Sequence, residues 1–155
     1  MEPRAATPGR RLDAVRQLSQ AGIPVAVMVA PIIPALNDHE IERILEAARE
    51  ASAREAGYVM LRLPLEIKEL FREWLNAAYP DRAERVLKLL RSMHGGADYV
   101  AAFGHRGRGS GPYADQIAAR FKLARRRLGL DAERLALRSD LFERPIVRGQ
   151  QLKLF

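Results

Sequence analysis

The chain contains no cysteine. That excludes disulfides, thiolate zinc sites and cysteine-ligated iron–sulfur clusters within its 155 residues. Aromatic residues are scarce, at 6%, and the single tryptophan, Trp74, falls on a helical apolar stripe where it reads as core. No apolar run approaches the roughly 18–20 residues needed to span a bilayer. The opening MEPRAATPGRR has no apolar stretch of the kind a secretory leader carries, so a cytoplasmic location is expected. The histidines, His39, His94 and His105, have no ligand spacing, which leaves no metal site to predict. Ser19, Ser52, Ser92, Ser110 and Ser139 have no nucleophile-elbow context.

What is present is an ordinary globular balance, 48% hydrophobic and 29% charged, with a net charge of +7. A basic balance favours polyanionic partners such as nucleic acid, although an arginine-rich codon usage produces the same excess. The pattern predicts a helix over residues 8–20, with Thr7 as N-cap, Pro8 at its first position, Leu12, Val15 and Leu18 facing inward and Gly22 beyond its end. Residues 24–30 are continuously apolar, as in a parallel strand covered on both faces. Pro31 and Pro34 then hold an extended exit loop. Asn37 and Glu40 have capping-box spacing ahead of a helix with Ile41, Ile44, Leu45 and Ala48 inward. Asp38 and His39 lie beside the loop, where acid–base work is open to them, with Asp38 also suited to the helix N-terminus.

A second strand is expected over YVMLRLP, residues 58–64, followed by a helix with the stripe Ile67, Leu70, Phe71, Trp74 and Leu75. Pro80–Asp81 breaks it, and the next helix carries Val86, Leu87, Leu90 and Met93. The order is that of a βαβ unit, with a right-handed crossover expected. Composition changes at Gly95–Gly96. A glycine-rich stretch leads to a helix from Pro112 to Leu128 with Ile117, Phe121, Ala124 and Leu128 inward and Arg120, Lys122, Arg125, Arg126 and Arg127 outward. The fold class expected is α/β: a partial (β/α) barrel with two parallel strands and about five helices, plus an irregular basic C-terminal extension. Residues 1–94 form the barrel part and residues 95–155 a basic helical extension with a flexible tail.

The runs MEPRAATP, AGIPVAVMVAPIIPALND, GYVMLRLPLEIKELF and GRGSGPYADQIAARF resemble the C-terminal part of radical SAM proteins of the spore photoproduct lyase-like group, often labelled DNA repair photolyases. The resemblance covers nearly the whole chain. It implies a partial (β/α)6 barrel and, in a full-length protein, a [4Fe-4S] cluster and S-adenosylmethionine. The cluster is held in that family by a CxxxCxxC loop near the first barrel strand, which this chain lacks. The first strand resembles the fifth of the barrel, placing Ala30, Pro31 and Ile32 near the adenosyl part of the cofactor. The second resembles the sixth, with Arg62 at its end, either in the barrel mouth or paired with Glu66. The resemblance implies a fragment that is not catalytic alone, and it leaves open strand edges that favour self-association.

A different class of function is also legible. Arg106, Arg108, Arg125 and Arg126 suit the phosphates of nucleic acid, and Tyr99, Phe103 and Tyr113 suit stacking on bases. The tail QLKLF resembles the peptide with which bacterial repair proteins bind the sliding clamp. Leu152, Leu154 and Phe155 would fill an apolar pocket, with Gln151 fixing register. The alternative reading is therefore a small basic module that binds nucleic acid or the clamp. A flexible linker and a solvated helix face explain the same arginines without a ligand.

Overall fold

The computed structural model describes residues 5–102, 105, 107–132, 139–140 and 142–143. Arg106 and the tail residues Gln151, Leu152, Leu154 and Phe155 lie outside them, as does Phe103. Five helices and two parallel strands make up the mixed α/β architecture of the described residues. Among these residues no helix is long and apolar enough to cross a membrane.

Helix α1, Pro8–Gln20, begins where Thr7 caps it, its hydroxyl accepting from the Arg10 N–H at 3.5 Å. It ends in paired backbone bonds, Ile23 N–H to Leu18 O and Gly22 N–H to Ser19 O, both 3.0 Å. That closure requires the left-handed conformation that Gly22 adopts at φ 76°. No residue of α1 is fully buried. Leu18, expected to face inward, is 42% exposed, because the helix lies at the margin beside α2.

Strand β1 is Ala26–Ile32 and β2 is Glu55–Met60. Both differ from the expected spans. Ladder pairing decides the register: Ala26 sits opposite Glu55 and Val29 opposite Tyr58. The strand therefore runs through Pro31, and the expected second strand gives up its last four residues to the segment leading into α3. A polar start at Arg54 and Glu55 hid the true beginning of β2 from an apolarity criterion.

The larger correction concerns coverage. Continuous apolarity predicts burial on both faces, but β1 alternates. Val29 is buried and Val27 half-buried, while Ala26, Met28 and Ala30 are exposed, Met28 at 56%. Paired residues of parallel strands share a face, so Val27, Val29, Ala56 and Tyr58 form the covered face. On the opposite face Met28 lies across Gly57, its sulfur in the place a Cβ there would take.

Between the strands, the 3-10 turn Asp38–Glu40 leads into α2, Ile41–Glu50. Ile41, Leu45 and Ala48 are fully buried, whereas Ile44 is at the rim. The capping box is not formed. Asn37 instead braces the loop: its Oδ1 accepts from the Ile33 N–H at 2.7 Å, and its Nδ2 donates to the Pro31 carbonyl at 3.0 Å. Helices α3, Ile67–Ala78, and α4, Pro80–Ser92, pack on each other through Phe71, Leu75, Val86 and Leu90, with Ile67 and Leu70 left exposed. Helix α5, Pro112–Arg127, buries Ala114, Ile117, Phe121 and Ala124 and rests on α2. One hydrophobic cluster thus draws on both sides of residue 95.

The returning chain also closes one edge of the sheet. The Met60 N–H donates to Gly107 O at 2.9 Å and the Ala56 N–H to Leu130 O at 3.1 Å. A further antiparallel bridge joins Glu55 and Asp131. No comparable backbone bond reaches the outer edge of β1 from another described segment.

Candidate functional site

Two regions carry chemistry. The first is the exit of β1. There Ala35, held at φ 57°, donates its N–H to the Tyr113 hydroxyl at 3.3 Å. The hydroxyl in turn donates to Asp38 Oδ2 at 2.6 Å. Arg120 completes the network, giving Nε and Nη2 to the two oxygens of Glu42 at 3.0 and 2.8 Å and Nη2 to the Asp38 carbonyl at 3.1 Å. One helical turn and more along, Arg127 reaches Glu46 at 2.7 Å. Glu42 and Glu46, one turn apart on α2, thus hold Arg120 and Arg127, two turns apart on α5, and the two pairs key the helices together.

The electrostatics follow. The hydrogen bond from Arg120 is the main cause of the Glu42 carboxyl lying below its ordinary range, against a smaller upward push from burial. Burial raises the Tyr113 phenol, and its bond to Asp38 adds to that. Tyr113 therefore stays a donor at neutral pH. Buried Asp38 accepts from Tyr113, with Arg120 Nη1 3.9 Å away, and so ties the loop after β1 to α5.

The residues that the sequence resemblance would set near an adenosyl group are distributed unevenly. Ala30 and Pro31 are exposed on the open side of β1, while Ile32 is 1% exposed and belongs to the core. Arg62 lies beyond β2, exposed, and the pairing with Glu66 is not formed. Among the described residues no three His, Asp or Glu side chains gather as a metal ion would require.

The second region is a cleft of about 270 Å³ beside the outer edge of β2. Tyr58 and Phe121, with ring centroids 4.7 Å apart, give it an aromatic wall, extended by Ala118. Arg108, Lys122 and Arg125 line the rest. The Arg108 guanidinium stands 5.2 Å from the Tyr58 ring centroid, a cation–π contact that fixes it. Arg125 has a buried Nε without a hydrogen-bond partner. Of the arginines expected to contact phosphate, Arg108 and Arg125 meet here, and Arg126 is exposed elsewhere on α5. Lys122 and Tyr58 were not singled out for this role. Lys122 was visible in the basic pattern of the helix, but nothing local ties Tyr58 to residues fifty positions later.

A wider recess, about 520 Å³, lies at the other end of β2 against Arg49, Ser52, Arg54 and Gly129. Ser52 and Gly129 immediately follow the C-termini of α2 and α5, whose carbonyl ends disfavour an anion. Two arginines alone do not make it the better site.

Elsewhere, Asp98 joins α3 to α4 by accepting from Arg72 and, at 2.8 Å, from Arg91. The bond from Arg91 chiefly holds its carboxyl below the ordinary range. His94 is buried, its Nε2 lacks a partner, and its ring meets Tyr99 edge-on at 6.0 Å. Burial alone pushes its pKa down.

Comparison of the chain with protein-family models, with curated proteins and with solved structures finds no match.

Proposed function

We propose that this chain is the C-terminal wall of a larger (β/α) barrel enzyme of the radical SAM type, close to the spore photoproduct lyase-like group, and that it is not catalytic alone. The observation that supports this reading is the one-sided sheet. Helices cover the face carrying Val29 and Tyr58, while Ala26, Met28 and Ala30 remain exposed and β1 offers a bare edge. In a closed barrel the helices cover the outside, and neighbouring strands occupy both edges. A wall cut from such a barrel would have this asymmetry.

The residues present do not fit the cluster. Three thiolates are required so that one iron keeps an open position for S-adenosylmethionine, and the chain has no cysteine. Its own contribution is structural. Asn37 and the Tyr113–Asp38 latch set the loop after β1, and Ala30, Pro31 and Arg62 stand at the strand ends where a barrel presents its binding loops.

The test is the coding sequence upstream. An in-frame CxxxCxxC motif, followed by enough sequence for four more strand–helix units, is the expected result. Cleavage of S-adenosylmethionine by the purified 155-residue chain after iron and sulfide reconstitution would contradict the reading.

A further inference from the structure

We infer that the cleft formed by β2, Arg108 and α5 binds a phosphate ester whose esterified group is a flat ring, the chemistry of a nucleotide. This goes beyond the barrel reading, because the cleft lies on the helix-bearing side of the sheet and uses none of the residues at the strand ends.

The cations of α5 are partnered unequally. Arg120 and Arg127 are held by Glu42 and Glu46. Lys122 and Arg125, three residues apart and so on one helical face, have no carboxylate partner among the described residues, and neither does Arg108. These three unpaired cations are the ones that converge on the cleft. Like charges gathered at one cleft repel, and the unpartnered buried Nε of Arg125 is costly. A dianion between them offsets both effects and supplies the acceptor that Arg125 Nε lacks.

The backbone adds a donor. The Ala56 and Met60 N–H groups point to the outer edge of β2, where they meet Leu130 and Gly107. Alternation along a strand turns the Tyr58 N–H to the same edge, between those two anchor points. The cleft exceeds a bare phosphate, and its aromatic wall is a backing: Tyr58 and Phe121 are buried and inclined at 46° to each other, and the exposed Arg108 guanidinium stands over the Tyr58 ring. Bases stack on arginine planes, so Arg108 supplies the flat partner for the ring of the ligand. A free nucleotide and one nucleotide of a single strand share this chemistry.

The experiment titrates the full chain with adenosine monophosphate, adenosine, inorganic phosphate and a short single-stranded oligonucleotide, following the NMR resonances of Tyr58 and α5. Adenosine monophosphate is expected to shift Tyr58, adenosine to shift nothing comparable and phosphate to bind more weakly at the same cations. Lys122→Gln and Arg125→Gln should each weaken nucleotide binding about tenfold, the worth of one charge-assisted hydrogen bond. Arg126→Gln on the exposed part of the same helix should change it by less than about twofold. Oligonucleotide binding lost in the Lys122 and Arg125 variants supports the site and identifies a strand as the phosphate's source. Equal losses in all three variants would reveal attraction to net charge alone and overturn the proposal. So would adenosine binding as tightly as its monophosphate, or Tyr58 resonances that no phosphate ester moves.

Discussion

Strands β1 and β2 are comparable in length, yet their outer edges meet different fates. The edge of β2 is occupied twice, by Gly107 and by Leu130, and its side chains Ala56, Tyr58 and Met60 are all buried. The edge of β1 receives no backbone hydrogen bond from another described segment, and Ala26, Met28, Ala30 and Pro31 are exposed. Exposed strand edges pair readily with other chains, and proteins normally blunt them with charge or bulges. Pro31 and the register irregularity between Val29 and Ile32 blunt the far end of β1, while outward-facing Ala26 and Met28 leave its first half uncharged and regular. Apolarity therefore has two purposes: in β2 it builds the core of this chain, and in β1 part of it is surplus to that core.

Substitutions separate the two purposes. The largest effect belongs to the covered face. Leu45→Ala removes a fully buried side chain and should cost about 2–5 kcal/mol in chemical denaturation. Next comes the latch between α2 and α5. Tyr113→Phe deletes the hydroxyl that donates to buried Asp38 and accepts from Ala35, and should cost about 1–2 kcal/mol. Smaller still is a pH effect at His94. Because burial lowers its folded-state pKa, the fold favours the neutral ring, and the unfolded chain binds the proton more readily. Its contribution is complete above the ordinary histidine value of about 6.5 and declines as pH falls from there toward the lowered folded value. Thermal melts between neutral and mildly acidic pH should show that decline, above the range in which Glu42 and Asp98 lose their own contributions, and His94→Phe should flatten it. The smallest effect belongs to the open face. Met28→Lys should alter the stability of the isolated chain by no more than about 0.5 kcal/mol, while blocking any assembly through that face.

The helices were largely legible in the sequence, because Pro8, Pro80 and Pro112 mark first turns and the periodicity of Ile41, Leu45 and Ala48 leaves little choice. Strand limits were not, since pairing between residues some thirty positions apart sets them and local apolarity does not. Asn37 shows a similar failure: its spacing to Glu40 suits a cap, but the two unpaired backbone groups at Pro31 and Ile33 claim the side chain first. The exposure of Leu18, Ile44, Ile67 and Leu70 escaped a reading that treats every stripe as core. For the cleft, Arg108 and Arg125 were readable as basic residues. What was not readable was that Glu42 and Glu46 would pair with their neighbours and leave these unpaired, or that the edge of β2 would bring Tyr58 beneath them.

The asymmetry of the sheet is tested most directly by amide hydrogen exchange on the isolated chain. Alternation along the regular part of the ladder places the Ala26 and Met28 N–H groups on the outer edge of β1, and the account predicts that they exchange quickly while those of Ala56 and Met60 are protected by Leu130 and Gly107. Protection of the Ala26 and Met28 amides equal to that of Ala56 and Met60 in a monomeric sample would contradict it.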